Sequence, residues 1–120
     1  MFDLWKMTKI TEKLELLLKE RPEIFKEDLT VYLESFNFFD KQIELFIEVN
    51  QEVCEAACDF CETVSKMPEN NIFEKIYKKI EMKKAYYYIN KYDNKLKKAY
   101  DLQKRWEKIN QRLTQFKYFS

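Results

Sequence analysis

The sequence predicts an all-α fold, an antiparallel bundle of about four helices, and three observations carry that prediction. An apolar residue recurs every third or fourth position through Phe25, Leu29, Tyr32, Phe36, Phe39, Ile43, Phe46, Asn50, Val53, Ala57, Phe60, Val64 and Met67, with Asn50 the single polar member. Steps of four and three in alternation make a heptad seam, the stripe of a helix packed on other helices. The chain has no Gly and two Pro, so the hairpin turns and bulges of a strand-rich fold lack the residue they rely on. Finally, no apolar run approaches the ~18 residues of a membrane span. Residues 1–120 read as a single helical domain, long enough to bury a core.

The first helix is expected over residues 3–20. Asp3 is placed as its N-cap, and Leu4, Met7, Ile10, Leu14 and Leu17 as its apolar face. Arg21-Pro22 ends it, because the residue before Pro avoids helical backbone. Pro22 and Glu23 then suit the start of the next helix. That segment runs in register to Met67. Unbroken, it would measure roughly 67 Å, against a radius of gyration of about 14 Å for a compact domain of this size. The molecule is therefore either elongated and coiled-coil-like, or the helix breaks. Ser35–Asp40 is the weakest helical stretch, with Asp40 able to cap a new helix, and a break or kink is expected there.

The clearest turn is Lys66–Asn71, where Pro68 stops one helix and Asn71 with Glu74 opens the next as a capping-box-like pair. The last helix starts with Phe73, Ile76 and Ile80. It then changes stripe to Met82, Ala85, Ile89, Tyr92, Leu96, Ala99, Leu102, Trp106, Ile109, Leu113 and Phe116, with Asn90–Asn94 a second candidate break. Val31, Leu33, Phe38, Leu45, Ile47 and Val49 flank the main seam. With twenty aromatic residues in the chain, this is more apolar surface than a bare hairpin can hide. Phe46 and Phe60 are expected core anchors.

Composition excludes more function than it assigns. Without Gly there is no phosphate-cradling loop, dinucleotide fingerprint or nucleophile elbow. Without His there is no Ser-His or Cys-His pair and no His-ligated zinc. No catalytic residue and no cofactor is expected, and the chain reads as a non-enzyme. Residues 1–20 carry charges from Asp3 and Lys6 onward and no apolar h-region. The expected compartment is the cytoplasm, or the host cytosol for a viral or plasmid gene.

Charge is divided unevenly. Residues 1–66 hold 8 basic and 15 acidic groups, residues 67–120 hold 14 and 6, giving −7 and +8. The halves either pair or the basic half meets an anionic partner. Lys84, Lys91, Lys98, Arg105 and Arg112 recur every seven residues, rungs roughly 10.5 Å apart along one helix. Tyr86, Tyr87, Tyr88, Tyr100 and Trp106 interleave with them. Cations tracking phosphates, with rings for stacking, describe a nucleic-acid surface; a solvated helix face is the plainer reading. Glu44, Glu48, Glu52, Glu55, Asp59 and Glu62 form an acidic ladder opposite the seam, read as solvated.

Cys54, Cys58 and Cys61 are spaced C-x3-C-x2-C, at positions i, i+4 and i+7 on one side of a helix. Radical-SAM enzymes use that spacing on a loop within a barrel. Here it lies mid-helix in a far shorter chain, so that reading is set aside. Three thiolates could face a copper or iron–sulfur centre, but small apolar packing is the expected role. Asn50, alone in the seam, can set the register of an oligomer. The leading expectation is a protein–protein interaction module, binding another protein or a second copy as a homodimer. Nucleic-acid binding and a Cys-based metal or redox bundle are the alternatives. No membrane partner is expected.

Overall fold

The computed structural model describes residues 3–119, and those residues form four helices and no strand. Helix α1 is Leu4–Glu20, α2 Glu23–Glu27, α3 Leu29–Ser65 and α4 Ile72–Phe119. None is long and apolar enough to cross a membrane. The Asp3 side chain accepts the Lys6 N–H at 3.2 Å, the cap expected for α1. At the far end Arg21 leaves the helical region (φ −136°, ψ 60°) and Pro22 leads into α2.

The expected break falls in a different place. Residues 35–40 are continuously helical, and the interruption is at Asp28 (φ −126°, ψ 49°), whose carbonyl accepts the Tyr32 N–H to open α3. Local propensity is overridden because Phe36 and Phe39 both pack on Trp106, with ring centroids 5.0 and 5.5 Å away. Residues 90–94 are likewise helical, and α4 runs unbroken.

The chain forms two compact units, Met1–Ile47 with Lys98–Ser120, and Glu48–Lys97. In the first, α1, α2 and the start of α3 pack on the C-terminal part of α4. Its core holds Met7, Leu18, Phe25, Phe36, Ile43, Leu102, Trp106, Ile109 and Leu113, all under a tenth exposed. One polar side chain belongs to that core. Thr11 Oγ1 donates to the Met7 carbonyl at 2.6 Å and accepts the Trp106 indole N–H at 2.7 Å, so both buried polar groups are satisfied. The buried face of α1 therefore passes through Met7, Thr11 and Leu18, while Ile10 and Leu17, expected inside, are exposed.

The second unit is a helical hairpin. At its turn Asn71 Oδ1 accepts the Glu74 N–H at 2.9 Å, and Glu74 reaches back to the Asn70 N–H at 2.8 Å. This is the expected capping box, with the return bond one residue earlier. Lys78, 18% exposed at its side chain, donates to the Met67 carbonyl and pairs with Glu69. Among the described residues this unit buries only Asn50, Val64, Ala85 and Leu96, and only Val64 and Ala85 completely. Phe60 is 39% exposed rather than a core anchor, and Phe46, in the first unit, is half-buried. Val31, Phe38, Leu45 and Val49 are more than half exposed, against the expectation that other helices surround them; Ile47 is buried.

Candidate functional site

An α-helix returns to the same direction about every 3.6 residues, so a face is read at steps of three and four. On α4 within the hairpin unit, Met82, Ala85, Ile89, Tyr92 and Leu96 are buried or half-buried and make the inner face. The opposite face starts apolar. Ile72, Phe73, Ile76, Tyr77, Ile80 and Tyr87 lie on it, and all are about half exposed or more, Phe73 reaching 81%. This is the change of stripe near residue 80 seen in the sequence: the earlier stripe meets no helix of its own unit. Lys75, Lys79 and Lys83 run along one edge of this face, exposed and without an ion pair among the described residues. Lys84 on the other edge pairs with Glu81 at 3.2 Å.

The side of α3 in the same unit carries a second exposed line, Val49, Ala56 and Phe60, at steps of seven and four. Glu48, Glu52, Glu55 and Asp59 border its outer edge, all exposed. Among the described residues no ion pair joins these carboxylates to the α4 lysines; the pairs in this unit are local, such as Lys66–Glu62 and Lys97–Asp93. The acidic ladder is thus a solvated face. Asn50 is 6% exposed and lies inside its own hairpin, away from both outer faces.

The seven-residue basic series does not stay equivalent along α4. A strict heptad drifts by about 20° per repeat on a straight helix. In the hairpin unit Lys84 is tied to Glu81, and Lys91 lies over the Tyr92 ring at 5.9 Å. In the other unit Lys98 is exposed, whereas Arg105 turns onto α1, where its Nε donates to Glu15 at 3.2 Å and its Nη2 makes a second bond to the same carboxylate. That bond holds the Arg105 guanidinium above its ordinary pKa, against the opposing effect of burial. Arg112 stacks over Phe116 at 6.0 Å. Arg105 and Arg112 join Lys19 and Lys108 around an open groove of about 280 Å³ floored by Leu18 and Ile109. Four cations against Glu15 leave it at +3. Lys19 went unnoticed in the sequence because it lies 86 residues from Arg105 on another helix.

Cys58 is exposed and Cys54 and Cys61 half-buried. Burial, then the neighbouring Cys58, pushes the Cys54 thiol up. Among the described residues no three His, Cys, Asp or Glu side chains are grouped to hold a metal ion. In the first unit, Asn110 Nδ2 donates to Asp40 Oδ2, while Asp40 Oδ1 and Asn110 Oδ1 are buried without a hydrogen-bond partner. Burial, followed by the nearby Glu44 and Glu107 carboxylates, raises Asp40 to about 6. Asp40 caps no helix: it is an interior partner of α4.

Comparison with protein-family models, curated proteins and solved structures finds no match.

Proposed function

We propose that the chain is a non-enzymatic protein–protein interaction module, and that its docking surface is the outward face of α4 at Ile72, Phe73, Ile76, Tyr77, Ile80 and Tyr87. The observation that carries this reading is that an apolar stripe spanning about four helical turns has no covering element in its own unit. With aromatic side chains burying about 150–250 Å² each, the six expose on the order of 600 Å² of apolar surface, the upper end for a patch on a monomer. A face of this kind suits a helix laid along it, read through anchors at i, i+4 and i+8. The cytoplasm is the compartment proposed, and the missing His and Gly support a non-catalytic role. The test is affinity capture from the native cell with the wild type and with the Ile76→Glu/Ile80→Glu variant. A captured protein should rebind when purified and be lost with the variant; binding indifferent to the variant would refute the assignment of this face.

A second reading, nucleic-acid binding, is favoured by the cationic groove of Lys19, Arg105, Lys108 and Arg112. Four phosphate contacts from that groove would give a slope of log K against log salt of roughly −3.6 on duplex DNA. No sub-micromolar binding is expected at ~150 mM salt, because Glu15 already neutralises Arg105 and leaves the groove at only +3.

A further inference from the structure

We infer that the occupant of the α4 face is a second copy of this chain, docked through the acid-bordered side of its α3. The inference rests on the docking reading above and adds the identity of the partner. Its starting point is charge. Lys75, Lys79 and Lys83 along the apolar α4 face lack ion pairs among the described residues, so a partner gains most by presenting carboxylates at the rim. Packing the α4 face antiparallel on its own copy brings these lysines against one another, and packing it parallel sets them against the edge of Lys84, whose neighbouring Glu81 is already paired, so neither arrangement supplies the missing carboxylates. The chain itself supplies the complementary surface. Val49, Ala56 and Phe60 offer an apolar line, and Glu52, Glu55 and Asp59 lie along its edge with no cation of their own unit engaged.

Size points the same way. One α4 face on one α3 side buries on the order of 1,000 Å² counted over both copies, the lower limit of a specific interface. The two surfaces differ, so the contact is heterologous. A second, reciprocal contact closes it as a dimer of about twice that area, and without closure the copies add head to tail. Either way Phe60 and Phe73, 39% and 81% exposed in the single chain, lose their water contact.

The test is sedimentation or light scattering of the full chain over a concentration series, with two exposed charge-reversal sets. One is Glu52→Lys/Glu55→Lys/Asp59→Lys on α3; the other is Lys75→Glu/Lys79→Glu/Lys83→Glu on α4. Circular dichroism checks that both remain helical. The wild type should reach at least twice its 14.9 kDa mass. Each reversed set alone should dissociate at least tenfold more readily. An equimolar mixture should associate again, since every α3–α4 contact in the mixed pair brings opposite charges together. A wild type that stays monomeric at ~1 mM overturns the inference, as does a mixture that fails to reassociate. Ile76→Glu/Ile80→Glu separates the layers: a monomeric wild type whose capture of another protein is lost in that variant sinks the second-copy inference and leaves the docking face standing. Self-association unaffected by that variant also overturns the second-copy inference, because the copies then meet on another face, whereas capture of another protein unaffected by it removes the α4 face from both.

Discussion

Replacing Asp40 by Asn should stabilise the protein at neutral pH, although it deletes a charge and keeps the shape. Asp40 accepts one hydrogen bond from Asn110, and its other oxygen and the Asn110 oxygen are buried without a donor between them. An amide at position 40 can donate to the Asn110 oxygen while still accepting from its nitrogen, as a protonated carboxyl can. The folded protein holds the Asp40 carboxyl at about 6, above its ordinary 3.8, mainly through burial and then through Glu44 and Glu107. Between those values the folded state keeps a proton that the unfolded chain has released, so stability falls as pH rises. The contribution is complete below about pH 4 and lost through pH 6. Two pH units correspond to about 3 kcal/mol, and partial solvent access at this half-buried site reduces that to about 1–2 kcal/mol. Urea unfolding of wild type and Asp40→Asn from pH 4 to 8 measures it. The two free energies should converge near pH 4 and separate toward pH 7, the variant being more stable. Parallel curves, or a variant less stable at pH 7, would refute the account of Asp40 as a buried acid short of a donor.

Other outcomes follow from the packing. Thr11→Val leaves the Trp106 indole N–H buried without an acceptor and should cost about 1–3 kcal/mol, read by thermal melting. Phe36→Ala, which opens the space beside Trp106, should cost about 3–5 kcal/mol, whereas Phe60→Ala should cost under about 1 kcal/mol; similar losses would contradict the burial contrast. In thiol labelling of the folded protein near pH 7, Cys58 should react first and Cys54 last, because Cys54 is half-buried with a raised pKa. Replacing all three cysteines by Ala should leave the helical circular dichroism spectrum unchanged.

Repetition is what made the fold legible. Phe36, Ile43, Asn50 and Val64 repeat the same direction often enough that the buried face of α3 stands out, and Ala85 to Leu113 do so on α4. Legibility failed where one stripe adjoined another. Phe60 sits at the margin between the seam and the side line through Val49 and Ala56, and periodicity cannot say on which side a partner lies. The Ser35–Asp40 break was misplaced because propensity is local, while Trp106 holds that stretch helical from seventy residues away in the chain. Thr11 was absent from the expected α1 face because a hydroxyl enters a core only when partners satisfy it, and its acceptor role lies 95 residues distant. Of the basic series, periodicity gave the five positions, but only the fold shows Arg105 engaged by Glu15 and Lys19 brought in from α1.

The hydrogen bonds Thr11–Trp106 and Glu15–Arg105 and the Asp40–Asn110 pair join residues 95, 90 and 70 positions apart. They set an order of events during synthesis. The hairpin from Glu48 to Lys97 closes on neighbours already made, a short-range search. The first unit cannot close until Leu102, Trp106 and Ile109 exist. At ~5–20 residues per second, translation from Ile47 to Trp106 takes about 3–12 s. Throughout that interval Met7, Leu18, Phe25 and Phe36 have been made, and the helix that will cover them has not. Soluble yield should therefore depend on elongation speed across the hairpin codons, with slower decoding there lengthening the time the N-terminal helices stay open to other chains.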